Sequence, residues 1–302
     1  MDYGRRISFG YFPPPVATGY PTLLEGVRAA EEIGLELVGI QDHPYQAAFL
    51  DTWTLIAALA PQAPSLTFFP DVANLPLRPP AVLAKAAASL DVISGGRVEL
   101  GLGSGAFWPA VRAMGGRVLE RGDAVSALEE AIEVVRLMWG GERAVRFRGR
   151  FYSLDGVRPG PPPAHSIGIW LGAYGPRMLR VTGRLADGWV PSGPPYLAPE
   201  DVGEASARID DAAASAGREP RHIRRLYNVW GMVTDGPAAG GESWEWPADR
   251  WVDLLTRLAL EDGVDSFVFG PSRDPVSQLR RWAEEVAAPV RTNVERARRR
   301  AG

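Results

Sequence analysis

Short apolar runs recur along the chain, and a helical pattern separates each from the next. The runs are ISFGY (7–11), LVGIQ (37–41), SLTFF (65–69), RVELGL (97–102), IGIWLGA (167–173), DGWV (187–190), LYNVWGMVT (226–234) and SFVFG (266–270). They are rich in β-branched and aromatic residues, and nearly continuous rather than alternating. Strands covered on both faces read this way. Helical stretches fall at about 20–34, 52–60, 79–93, 122–140, 175–186, 199–217, 249–262 and 274–287. Start signals mark several of them: Asp51-Thr52, Pro79-Pro80 and Pro199-Glu200-Asp201. Eight strand–helix units predict an α/β fold, a (β/α)8 TIM barrel. A doubly wound open sheet competes, but such sheets usually need fewer units.

The same pattern leaves two excursions. Residues 140–166 alternate Arg146, Arg148 and Arg150 with Phe147, Gly149 and Phe151, which predicts a hairpin with a charged face. Residues 235–249, DGPAAGGESWEWPAD, are expected either as a lid over the barrel mouth or as plain surface loop. With no repeat at solenoid spacing and no hinge-like linker, residues 1–302 read as one domain.

Composition narrows the partners. The 302 residues are 46% hydrophobic with a formal net charge of -3. That supports one sizeable core and argues against nucleic acid or an anionic membrane as the main partner. No cysteine is present, which removes disulfides and thiolate chemistry and fits a cytoplasmic protein. The first residues, MDYGRRISFGYFPPP, lack a long apolar stretch, so no signal peptide is expected. No apolar run approaches the roughly 20 residues of a membrane span. The basic end, RARRR, reads as a solvated helix terminus or frayed tail.

In barrels of this kind the chemistry lies at the C-terminal ends of the strands. After the second run come Asp42, His43 and Pro44. An imidazole there suits proton transfer near neutral pH, though a histidine can also just cap a strand by hydrogen bonding. Pro44 biases His43 away from helical dihedrals. After the fourth run, GLGSGAFW matches G-x-G-x-x-A loosely, at Gly101, Gly103 and Ala106. It follows the wrong strand for a dinucleotide fold. Close approach of its backbone to a flat ring, with Ser104 and Gly105 at the turn and Gly103 and Gly105 leaving room, is the alternative. After the fifth run, GAYGPRM (172–178) joins a strand end to a helix start. Its N–H groups form a candidate anion site with Arg177 adding charge, or an ordinary βα turn. Trp53, Trp108, Trp189 and Trp230 cluster near the expected mouth, as pocket lining or as barrel packing. The three histidines, His43, His165 and His222, lack ligand spacing, so no metal site is expected. His165 and His222 read as structural or solvated.

Several segments, taken together and in order, resemble one family. GIQDHP, PLRPPAVLAKAAASLDVISGGRVELGLGSG, GPRMLRVTGRLADGW and DSFVFGPSRDPVSQLRRWAEEV are similar to the bacterial luciferase-like monooxygenase superfamily, and within it to members that use the deazaflavin coenzyme F420. The resemblance implies a TIM barrel with the cofactor at its C-terminal mouth. It implies a phosphate on backbone amides around the segment Gly172-Ala173-Tyr174-Gly175-Pro176-Arg177-Met178. A non-prolyl cis peptide is implied near Asp71–Val72, against the ring. Asp42 and His43 match the acid–histidine pair beside the redox-active ring. FMN is the alternative cofactor, and a flavin-binding protein without catalysis is the alternative of another class. Deazaflavin-dependent sugar-phosphate dehydrogenases carry a Glu shortly after the Gly-Ser/Thr-Gly turn. Here Ala106, Phe107 and Trp108 stand instead, which implies an apolar or aromatic small-molecule substrate.

Assembly is also legible. TWTLIAALA is apolar nearly all round, and PPAVLAKAAASLDVI carries just Lys85 and Asp91 as charges. An outer barrel helix needs a single apolar stripe. Two neighbours with an excess predict a homodimer, as the resemblance also implies.

Overall fold

Among the described residues, eight parallel courses of strand make up the barrel, and the third of them is broken. The computed structural model describes residues 1–236 and 244–301. The barrel strands are β1 (Ser8–Tyr11), β2 (Leu37–Ile40), β3 (Thr67–Pro70), β4 (Ala73–Asn74), β5 (Leu100–Gly103), β8 (Ile169–Leu171), β9 (Gly188–Trp189), β10 (Arg224–Thr234) and β12 (Ser266–Pro271). Outside the barrel lie β6 (Val145–Arg148), β7 (Ser153–Val157) and β11 (Trp244–Pro247). The hydrogen-bonded order is β3-β2-β1-β12-β10-β9-β8-β5-β4. β3 and β4 are two stretches of one course, separated at the Asp71–Val72 peptide, which is cis. They stand at opposite ends of the order, and a parallel bridge from Phe68 to Val98 brings the sheet back on itself.

The helices are α1 (Tyr20–Glu32), α2 (Thr52–Leu59), α3 (Pro80–Ser94), α4 (Trp108–Ala113), α5 (Arg121–Trp139), α6 (Pro176–Leu185), α7 (Val202–Ser215), α8 (Ala248–Glu261), α9 (Pro275–Arg281) and α10 (Ala288–Ala301). Their boundaries follow local chemistry. Asp51 caps α2 by accepting from the Thr54 amide. Gly95, with φ 73, ends α3 in the left-handed conformation a side chain resists.

Two apolar layers hold the barrel. Phe12, Leu37, Phe69, Trp170, Val190, Leu226 and Val268 form one cluster. A larger one packs Phe9, Val38, Ile40, Trp189 and Phe267 against helix residues such as Val27, Ile56, Leu83 and Leu255. Neighbours along a strand point to opposite faces, so Leu37 and Val38, or Trp189 and Val190, serve different layers.

The excursions resolve differently. Residues 145–157 form the expected antiparallel hairpin, with Arg146 and Arg148 outward and Phe147 packed on the core. Of the second, residues 237–243 lie outside the described residues. Its end is β11, which pairs in parallel with the end of β10. Trp244 and Trp246 stack 4.7 Å apart and both pack on Trp251 of α8, so these indoles belong to the wall rather than to a cover over the mouth. The last helix was expected to end near 287. It continues through a π-helical turn, Trp282–Ala287, into α10. There Arg298 donates to both oxygens of Asp2 at 2.7 Å, so the basic end is partly docked.

Candidate active site

The C-terminal strand ends surround a cavity of about 440 Å³. Small-ligand sites ordinarily span roughly 300–1,000 Å³. β2 contributes Asp42 and His43, the broken third course Asp71 to Asn74, and β5 the turn Gly103–Phe107. β8 contributes the turn that runs into α6, and Val190, Ser192 and Trp230 complete the far side.

Asp42 and His43 leave the end of β2 side by side and both reach the cavity, but they differ in burial and partners. Asp42 is 2% exposed. Nε and Nη2 of Arg78 donate to its two oxygens, each at 2.9 Å, and the Asn74 amide donates at 3.0 Å. Arg78 also donates to Asp51, the cap of α2. Burial disfavours the guanidinium charge, but the two carboxylates outweigh it and push its pKa up. Asp42 therefore ties the end of β2 to the segment after β4, and both its oxygens are occupied in doing so.

His43 is half-buried on the cavity wall. Its Nδ1 lies 2.6 Å from the Tyr45 hydroxyl. Burial lowers its pKa below the ordinary histidine value, with Asp42 pulling the other way. The imidazole is thus neutral at neutral pH, with one nitrogen held by Tyr45. Phe107 meets His43 edge-on, ring centroids 5.5 Å apart. Phe107 adopts φ 53, a left-handed conformation uncommon outside glycine, and is 54% exposed at the rim.

Two buried polar atoms of cavity-lining residues, Asp71 Oδ2 and Asn74 Oδ1, have no protein hydrogen-bond partner. Burial pushes the Asp71 carboxyl up to about 7, with Asn228 opposing. Buried polar atoms are normally satisfied, so this group fits a ligand that brings hydrogen-bonding atoms of its own.

The turn into α6 supplies an anion cradle. Gly175 is the N-cap and Pro176 the first helical residue. The first-turn amides have no intrahelical acceptor, and the helix dipole favours negative charge there. A Cβ at Gly175 would meet nothing within 4 Å, so the backbone is open at that point. Gly172, Tyr174, Gly175 and Met178 lie on the cavity wall. Ala173 is fully buried, and its carbonyl accepts from Trp189 Nε1 at 2.8 Å. Arg177 points elsewhere: its guanidinium donates to Gly122 O and Ser126 Oγ, each at 2.7 Å, and to Glu129. The expected auxiliary contact is therefore engaged with α5 instead.

Three sequence expectations need correction. Trp189 does not line the pocket; it is 0% exposed, on the helix-facing side of its strand, and Val190 takes the wall position. Trp108 opens α4 and packs on Gly105 behind the wall, while Trp53 sits in the sheet–helix core. The glycines of GLGSG leave room for protein rather than for a ring. A Cβ at Gly103 would lie 2.8 Å from Val72 Cγ2, and one at Gly105 2.6 Å from Pro76 Cγ. Phe107 and Trp230 do line the cavity, as do Asp71, Val72, Ser104 and Gly105.

Sequence reasoning missed Phe12, Tyr45, Asn74 and Tyr196 on the wall and Arg78 behind it, whereas Ser192 is found by the strand-end rule. Phe12 follows a strand directly and was within reach of the same rule. Arg78 was not, because its partner lies 36 positions away in the chain. His165 bonds the buried Asp91 at 2.7 Å, away from the cavity. Among the described residues, no three His, Cys, Asp or Glu gather as a metal site would require.

A parallel barrel with a cavity at the C-terminal ends of its strands is the framework of a TIM-barrel enzyme. The chain belongs to the luciferase-like monooxygenase family, whose model matches residues 1–252. It is 32% identical over 250 residues to an uncharacterised protein of Mycobacterium tuberculosis, covering 80% of this chain and 79% of the other. It is 31% identical over 256 residues to the F420-dependent hydroxymycolic acid dehydrogenase of Mycobacterium tuberculosis, covering 81% and 68%. A solved F420-dependent secondary alcohol dehydrogenase, in complex with an F420-acetone adduct, superposes with a TM-score of 0.83 at 19% identity, covering 94% and 99%. At that identity the likeness is one of fold. No described helix is long and apolar enough to cross a membrane.

Proposed function

We propose that the protein is an oxidoreductase that moves a hydride between coenzyme F420 and the alcohol or carbonyl carbon of an apolar organic substrate. The observation that carries this reading is His43 on the wall of the cavity, its Nδ1 2.6 Å from the Tyr45 hydroxyl. The residues fit the cofactor. The α6 N-terminus with Gly175 would take its phosphate, and the unpaired atoms at Asp71 and Asn74 offer partners for a ring's polar edge. When bound, a deazaflavin supplies a site that accepts or gives a hydride.

The protein's part is proton handling and positioning. As an alcohol is oxidised, its hydroxyl proton passes to Nε2 of His43 while the carbinol hydrogen leaves as hydride. In the reverse direction the imidazolium returns the proton to the forming alkoxide. Tyr45 holds the ring nitrogen that does not react, and so fixes which one faces the substrate. Asp42 acts through position: locked by Arg78, it holds the strand end that carries His43. Phe12, Phe107, Met178, Val190 and Trp230 give the cavity apolar walls that exclude water and favour an apolar substrate. The protein is further proposed to work in the cytoplasm as a homodimer, through the outward face of α3.

The similar Mycobacterium tuberculosis dehydrogenase, named for F420 and for a hydroxylated lipid acid, supports this reading. Titration of the purified protein with F420 and with FMN, followed by visible absorbance, tests it. Tight binding of F420 and its reduction by a secondary alcohol are expected. Binding of FMN alone would instead favour oxygen-dependent monooxygenation. F420 binding without turnover by any alcohol or ketone would favour a carrier.

A further inference from the structure

A second cavity, about 400 Å³, lies beside the first. Ser104, just past the end of β5, lines both, so the two are neighbours on either side of this residue. The second one is apolar. Leu75, Leu77 and Pro79 form one side, Met114 and Leu119 the other, and Tyr152 from the tip of the β6–β7 hairpin completes it. A Cβ at Gly116 would lie 2.6 Å from Leu77 Cδ2 and 2.7 Å from Val111 Cγ1, so this glycine lets the two sides approach. Arg117 is the one charged residue on the wall among the described residues. It is held against the hairpin, donating to Phe151 O at 3.1 Å with its guanidinium 5.3 Å from the Phe151 ring centroid. Met114 is 51% exposed, a large apolar side chain facing water. Neither the 114–119 segment that follows α4 nor the hairpin belongs to the barrel sheet, yet together with the 75–79 segment they build a slot that adjoins the candidate active site at Ser104.

We propose that this slot takes the aliphatic chain of the substrate, with the reacting alcohol or carbonyl carbon beside His43 and the chain running past Ser104. This rests on the oxidoreductase reading and deepens it. The functional group needs the polar cavity; a linear chain longer than that cavity has a contiguous apolar surface to cover, and covering it is favourable. A short polar substrate would leave the slot in water.

Calorimetric titration of the cofactor-loaded protein with hexan-2-one and decan-2-one tests this. Burial contributes at most about fourfold in affinity per methylene. Decan-2-one is expected to bind at least tenfold more tightly. In Met114→Trp, an exposed position that tolerates bulk, and in Ala127→Phe, which fills the slot from α5, that ratio is expected to fall below threefold. Equal affinities in the wild type would overturn the proposal. So would an unchanged ratio in both folded variants, which would place the chain elsewhere. Because the readout is binding, absence of turnover with F420 would sink the oxidoreductase reading and leave the chain-length result to be judged by itself.

Discussion

His43 Nδ1 and the Tyr45 hydroxyl lie 2.6 Å apart, two residues from each other on the segment that leaves β2. The pair gives the imidazole a fixed orientation, and burial keeps it unprotonated. General acid–base help is typically worth about 10²–10⁴-fold, so His43→Ala should lower turnover by that range while cofactor binding persists. Tyr45→Phe removes one hydrogen bond, worth roughly 1 kcal/mol, and should cost several-fold in turnover. Alcohol oxidation needs the neutral ring, whose pKa is depressed. Activity should therefore hold as pH falls past the usual histidine range, then drop on protonation. A profile of kcat/KM against pH checks this, and an unchanged rate in His43→Ala would make the histidine structural.

Asp42 and Arg78 make the prediction about stability. Removing Arg78 leaves a carboxylate that is 2% exposed with the Asn74 amide as its remaining partner. Breaking a buried pair by deleting one member typically costs about 3–5 kcal/mol. Arg78 itself is partly exposed, which places Arg78→Ala at the lower end of that range. Denaturant unfolding of the variant measures it. The loss should be accompanied by reduced turnover, because the same contact holds the strand end carrying His43.

The sequence made the barrel legible because its strands are covered on both faces and so read as apolar runs. The runs 37–41 and 266–270 nearly coincide with β2 and β12. In 97–102 and 167–173 the ends erred, since an apolar residue looks the same in a strand as in the turn beside it. Trp189 shows the limit of pattern reading. Period two says it faces away from Val190, but not which of the two faces the cavity. His43 was visible because polar residues at a buried strand's end need a reason. Arg78, Asn74 and Asn228 were not, because nothing local marks them; they act through partners brought together by barrel closure.

The cradle at α6 separates backbone from side chain. Arg177 is committed to Gly122, Ser126 and Glu129, so Arg177→Ala should change cofactor affinity by no more than roughly threefold, the size of a surface ion-pair effect. Gly175→Leu places a side chain where the backbone is open. It should weaken binding by at least about tenfold, or 1.4 kcal/mol, by blocking approach to the helix amides. Cofactor titration of both variants decides the matter, and equal wild-type affinity in each would place the phosphate elsewhere.

Two buried acids predict how stability follows pH. Burial pushes Asp71 up to about 7, and Glu99 likewise to about 7, despite a bond from the Gly168 amide to the latter. Each carboxyl holds its proton in the folded chain across a range where the unfolded chain has lost it. Stability therefore falls as pH rises from near 4 to near 7, by up to about 1.4 kcal/mol per pH unit for each group, and levels off above. Asp71→Asn and Glu99→Gln should each remove one group's share of that slope. Unfolding midpoints across pH 4 to 8 measure it, and a slope identical to wild type would mean the carboxyl titrates normally.

The outward face of α3 bears on assembly. Val82 and Ile93 are 62% and 70% exposed, and Val92, Ala86 and Ser89 lie on the same side between or beside them. Leu83, Ala84, Ala87, Ala88 and Leu90 already supply the stripe that meets the barrel. A helix apolar on both sides has more surface to cover than its own chain covers. A two-fold interface would bury the face twice, so one substitution acts twice. Light scattering at micromolar concentration should give a dimer mass for the wild type. Ile93→Asp should weaken that dimer by at least about 100-fold, since it forces two unpaired carboxylates into the contact. A monomer mass for the wild type, or a dimer untouched by Ile93→Asp, would take α3 out of the interface.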